Sequence, residues 1–151
     1  MRALFRLAIV IAVAWLGYTQ VWPRYEEYRR ARSANESADE SARLSLACLA
    51  VAESTTSDFS REIVQFELPP VDPALWSTFL IRASSRLGAA DSTCRCPSEA
   101  CISASAALLE QRKVLNHFDA RVRGTVSAPV DLAAAMKRID RLLARARAEA
   151  R

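Results

Sequence analysis

The sequence predicts an all-α protein: one N-terminal transmembrane helix followed by a small disulfide-stabilised three- or four-helix bundle. Three observations lead there. Among 151 residues, 28 are Ala and 19 are Arg while only three are Gly, a composition that favours helices over folds needing glycine at tight connections. No charged residue stands between Arg6 and Arg24, and four cysteines are present, three of them in the short run CRCPSEAC. The length suits one domain and excludes a multidomain enzyme.

The run Leu7 to Trp22 is apolar apart from Thr19 and Gln20. As a helix it covers roughly 24 Å, and roughly 30 Å if counted from Ala3 with Arg6 snorkelling, which is the thickness of a bilayer core. Trp15, Tyr18, Trp22 and Tyr25 gather at its downstream end, where amphipathic rings favour the headgroup level. A cleaved signal peptide is the competing reading. Cutting after Ala12-Val13-Ala14 would leave an apolar stretch of only about seven residues and a sticky new terminus. The expected organisation is therefore residues 1–23 as a transmembrane anchor or signal-anchor, 24–42 as a polar juxtamembrane stalk and 43–151 as an extracytoplasmic helical domain.

Two rules disagree on orientation. Arg24, Arg29, Arg30 and Arg32 outnumber Arg2 and Arg6, which by the positive-inside count favours a cytoplasmic domain. The upstream tail is short and has no acid to ease its export, and the cysteines decide in its favour. Cys48, Cys94, Cys96 and Cys101 form an even set, read as two disulfides of an oxidising compartment. If Cys96 capped the following helix it would stand roughly 8 Å from Cys101, beyond disulfide reach. The expected pairing is thus Cys94 with Cys101 and Cys48 with Cys96. A zinc site is disfavoured because C-x-C-x4-C departs from usual ligand spacings, and neither a C-x-x-C nor a C-x-x-C-H motif occurs.

Along the remaining chain, Arg24 to Glu40 has no large aliphatic residue and predicts a solvated helix or linker. An apolar face is expected from Leu44 through Ala47, Cys48 and Val51, ending at Ser54-Thr55-Thr56-Ser57, with a short separate helix over 58–66. Asp72-Pro73 is a helix start, with Asp as cap and Pro in the first turn. Trp76, Phe79, Leu80, Ala83 and Leu87 form its stripe, and Gly88 is expected to end it. The next helix is expected to start with Cys96 as its cap and to carry Leu108, Leu115 and Phe118 inward until Gly124. The last, after Pro129, presents Leu132, Met136, Ile139, Leu142 and Leu143. The core is expected to centre on Trp76, Phe79, Leu108, Leu115, Phe118 and Ile139.

No catalytic, cofactor-binding or metal constellation emerges. His117 is the only histidine and shares a polar helix face with Glu110, Lys113 and Arg121; no glycine-rich phosphate loop exists. Net charge is +4, with the basic excess in the last helix, where Lys137, Arg138, Arg141, Arg145, Arg147 and Arg151 face only Asp140 and Glu149. That stretch reads as a solvated face rather than a nucleic-acid surface. Arg in place of Lys, with abundant Ala, fits a GC-rich bacterial gene.

The expected function is that of a single-pass, non-enzymatic accessory subunit of a bacterial envelope protein assembly, in the inner membrane with its C-terminal domain on the periplasmic side. Its expected partners are the lipid bilayer and other envelope proteins, with no cofactor and no nucleic acid; a homo-oligomer is compatible. A second reading is a periplasmic small-ligand or sensor module with a pocket among Trp76, Phe79 and Phe118. A phage lysis accessory protein is a third, which lacks the long heptad run expected of it.

Overall fold

The computed structural model describes Trp15 and residues 22–150, apart from Pro69, Ser127 and Val130. Its elements are α1 (Trp22–Ile63), a 3-10 turn (Val64–Phe66), α2 (Pro73–Thr93), α3 (Glu99–Val122) and α4 (Leu132–Glu149). Among the described residues all regular structure is helical. The chain divides into two compact units, Met1–Glu40 and Ser41–Arg151.

The expected transmembrane helix has to be withdrawn from the fold class. Among the described residues no helix is long and apolar enough to cross a membrane. The physical reason is the composition of α1, which carries Arg24, Glu26, Glu27, Arg29, Arg30 and Arg32 in its first three turns. The apolar run that motivated the span lies, apart from Trp15 and Trp22, outside the described residues, and so does Tyr18. Trp15, Trp22 and Tyr25, expected at a headgroup layer, are all exposed side chains. Trp22 Nε1 donates to Glu26 at 3.0 Å and its ring lies 6.3 Å from that of Tyr25.

Within the first unit, residues 23–40 are helical and almost entirely exposed. A helix with no apolar face depends on its own side chains. The i,i+4 pairs Glu26–Arg30 at 3.3 Å and Arg32–Glu36 at 2.9 Å contribute about 0.2 to 0.5 kcal/mol each.

The second unit is a bundle of antiparallel neighbours. Its buried set includes Leu49, Ala52, Phe59 and Ile63 from α1, Trp76, Phe79, Ala83 and Leu87 from α2, and Ile139 and Leu143 from α4. α3 is central, burying Ala104, Leu108, Leu115 and Phe118. The six residues expected at the centre of the core, Trp76, Phe79, Leu108, Leu115, Phe118 and Ile139, are all buried. Trp76 meets Phe66 edge to face at 5.2 Å and stacks on Phe118 at 6.0 Å, and its Nε1 donates to Asp119 at 3.0 Å.

Local signals fix the helix starts. Asp72 accepts from the amides of Ala74 (2.8 Å) and Leu75 (3.4 Å), and Asp131 accepts from that of Ala134 (2.8 Å), each cap contributing about 1 kcal/mol. Gly124 adopts φ +72° just past α3, the left-handed conformation that ends a helix cheaply only with glycine.

Two expected boundaries and one expected inward face are not those of the structure. The Ser54–Ser57 cluster does not interrupt α1. Thr56 is buried, donates back to the Ala52 carbonyl at 2.8 Å and accepts from Gln111 Nε2 at 2.6 Å, so its hydroxyl is satisfied within the helix. Gly88 does not end α2, because Leu87 and Ala90 are both buried and the helix gains by continuing to Thr93, against about 1 kcal/mol for an interior glycine. The inward face of α1 is Ser45, Cys48, Leu49 and Ala52, while Leu44 and Ala47 point outward.

The disulfides also pair differently from expectation. Cys48 joins Cys94, with α-carbons 4.7 Å apart, and Cys96 joins Cys101, at 5.7 Å. The mistake lay in the cap. Ser98, not Cys96, is the N-cap of α3 and accepts from the Cys101 amide at 3.2 Å, so α3 begins at Glu99. Cys96 then belongs to the preceding loop, which turns it back toward Cys101. The first bond ties α1 to the end of α2; the second staples the start of α3.

Candidate contact surface

Helix α4 lies antiparallel along α3. Ser103 Oγ donates to Glu149 at 2.7 Å near one end, Arg138 pairs with Glu110 at 3.6 Å further along, and His117 Nε2 meets the Ala128 carbonyl at 3.2 Å beyond that. Between the two helices runs a groove of about 390 Å³ lined by Glu110, Arg138, Arg141, Leu142 and Arg145. The three arginines follow an i, i+3, i+7 spacing that keeps them on one side of α4.

Their charges are not equally committed. Arg145 donates to Glu149 at 2.6 Å, and this contact holds the arginine above its usual range and, with the Ser103 hydroxyl, holds Glu149 below the usual carboxylate value. Glu110 is likewise held low, first by the hydrogen bond from Lys113 and then by the charges of Lys113 and Arg138. Arg141 differs: its Nε donates to the Lys137 carbonyl at 3.3 Å, and among the described residues no carboxylate forms an ion pair with it. On the solvent side of α3, two turns apart, stand Ile102 and Leu109, each about half exposed.

A second groove, of about 400 Å³, opens between α1 and α4. Glu53 and Arg147 form an ion pair across it, with Thr56, Ser57 and Ser60 on one wall and Leu132, Met136 and Leu143 on the other. Behind Thr56 lies Gln111, which is fully buried; its Oε1 has no hydrogen-bond partner among the described residues.

The aromatic cluster offers no comparable space. Trp76, Phe79 and Phe118 fill their volume with one another and with Phe66 and Phe59. The cavity beside Phe59 and Phe79 holds about 10 Å³, room for one water at most. The four cysteines are consumed in disulfides, and among the described residues no group of three or more His, Cys, Asp or Glu is arranged to hold a metal ion. His117 is half-buried at the α3–α4 edge.

Sequence reasoning named Arg138, Arg141 and Arg145 only as part of a solvated face and did not single out Ile102 or Leu109. Those two become visible only once the burial of Ala104, Leu108 and Leu115 shows which side of α3 faces in.

Compared with protein-family models, with curated proteins and with solved structures, the chain finds no match.

Proposed function

We propose that the helical bundle acts as a non-enzymatic accessory subunit of a bacterial envelope protein assembly, working through protein–protein contacts. The observation that carries this reading is the distribution of apolar side chains. Leu75 and Ile81 on α2 and Ile102 and Leu109 on α3 are 51 to 72% exposed, although the same helices bury Trp76, Phe79 and Phe118. Ile102 and Leu109 stand two turns apart on one face of α3, and such a paired aliphatic surface beside a filled interior is one that a partner can cover.

Placement outside the cytoplasm is supported by the disulfides, since structural bonds that consume every cysteine are typical of an oxidising compartment and rare in a reducing one. Thiol counting in unreduced cell extract is expected to find no free thiol; four free thiols would remove the extracytoplasmic placement. The contact role is tested by placing a photo-crosslinking amino acid at Ile81, Ile102 and Leu109 in turn, in the full chain within its host. Discrete adducts of reproducible mass are expected, and their absence at all three positions would refute the reading.

A further inference from the structure

The groove between α3 and α4 narrows the kind of partner. We infer that it is a docking site for an acidic amphipathic helix of another protein, seated against Arg138, Arg141 and Arg145. The inference rests on the contact role proposed above and deepens it.

The argument is one of matching shape and charge. Arg138, Arg141 and Arg145 are spaced i, i+3 and i+7, so their guanidinium groups rise along about 10 Å of α4, two turns of a facing helix. Carboxylates at the same spacing on a partner helix would meet all three at once. Guanidinium forks suit that task because each donates two parallel N–H bonds to one carboxylate. Arg141, in the middle of the row, has no carboxylate ion pair among the described residues, so docking there gives up no internal pair. Arg138 and Arg145 are held by Glu110 and Glu149, which orders the row before a partner arrives.

The same groove has an apolar component. Leu142 lies among the arginines and the arginine stems add aliphatic surface. A helix with an acidic stripe bordered by leucines matches both. An anionic lipid surface would use the positive charge, but a flat headgroup layer does not fill a groove.

The test uses a synthetic helical peptide of about twenty residues, carrying Glu at i, i+3 and i+7 beside a leucine stripe, and a twin with Lys in place of each Glu. Fluorescence anisotropy with the full chain is expected to show binding of the acidic peptide at least about tenfold tighter than of the basic twin. Arg141→Glu should weaken it by at least about tenfold, and Arg141→Lys, which keeps the charge but loses the bidentate fork, should weaken it by less. Equal binding of both peptides, or indifference to Arg141→Glu, would overturn the inference. So would binding of phosphatidylglycerol vesicles that Arg141→Glu abolishes while neither peptide binds, which would assign the groove to lipid. Crosslinks at Ile81 on α2 separate the two levels. If they persist while the acidic peptide fails, the contact role stands without this partner; if crosslinks are absent at Ile81, Ile102 and Leu109 alike, both fall.

Discussion

At one end of the bundle Phe59, Phe66, Trp76, Phe79 and Phe118 meet ring to ring, whereas toward the other, where Cys48, Cys94 and Cys101 are buried, the buried set is rich in alanine: Ala52, Ala90, Ala100, Ala104 and Ala146 beside Leu49. Each aromatic ring withdraws about 150 to 250 Å² from water, and an alanine methyl only a small part of that. Alanine lets helices approach closely but contributes little burial energy. The disulfides therefore sit where burial is weakest, and they supply by restricting the unfolded chain what the small side chains do not supply by area.

That division can be broken from either side. Trp76→Ala removes the contacts with Phe66 and Phe118 and leaves the Asp119 carboxylate without its indole donor. A cost of about 3 to 5 kcal/mol is expected, read as a fall in melting temperature of about 10 °C or more; an unchanged Tm would show that the aromatic end does not hold the fold. Replacing Cys48 and Cys94 together by Ala opens a closure spanning 46 residues and should cost up to about 4 kcal/mol. The same replacement at Cys96 and Cys101, with a separation of five, should cost about 2 kcal/mol. If the short staple proved the costlier of the two by denaturant titration, loop closure would not be the source of its effect.

Between the two ends lies the Gln111–Thr56 pair, which sharpens the comparison because neither aromatic area nor a covalent bond supports it. Changing Thr56 to Val and Gln111 to Met together removes a buried polar contact and the unpartnered Oε1. Stability should stay within about 1 kcal/mol of the parent or rise, whereas Thr56→Val alone should lower it by leaving the Gln111 amide stranded.

The smallest expected effect concerns the exposed flank of α4. Glu149 and Glu110 are both held below the ordinary carboxylate range in the folded chain. Their contribution is then fully present above the unfolded value of about 4.3 and is lost as pH falls through the lower folded values. A slight drop in Tm on acidification below about pH 4.3 should accordingly flatten in Glu149→Gln. A drop of equal size in that variant would move the acid sensitivity elsewhere.

How far these features can be read from sequence depends on whether their cause is local. The Asp72-Pro73 start and the Gly124 stop are settled by residues within a few positions, and both stand where local rules put them. The inward stripe of α2 follows equally from helical spacing. The continuation of α1 through Thr56 was not legible, because the group that makes that hydroxyl welcome is Gln111, 55 residues away. The cysteine pairing failed over two residues: with the cap placed at Cys96 the geometry forbids the bond to Cys101, and with the cap at Ser98 it permits it. The apolar N-terminal run was legible as composition and lies, apart from Trp15 and Trp22, outside the described residues, whereas the helix described over Trp22–Ile63 carries charge from Arg24 onward. For the contact surface, the arginine row is visible in sequence, but its groove arises only from α3 lying alongside.

The Cys48–Cys94 bond has one more consequence. Together with the backbone it makes residues 48–94 a closed ring that contains the connection between α1 and α2, where Leu68 is 79% exposed. A protease that severed this connection would leave a single covalent molecule, with both pieces still held against α3. In an environment rich in proteases the most accessible joint between these two helices can thus be cut without being lost, and the nick would show only after reduction.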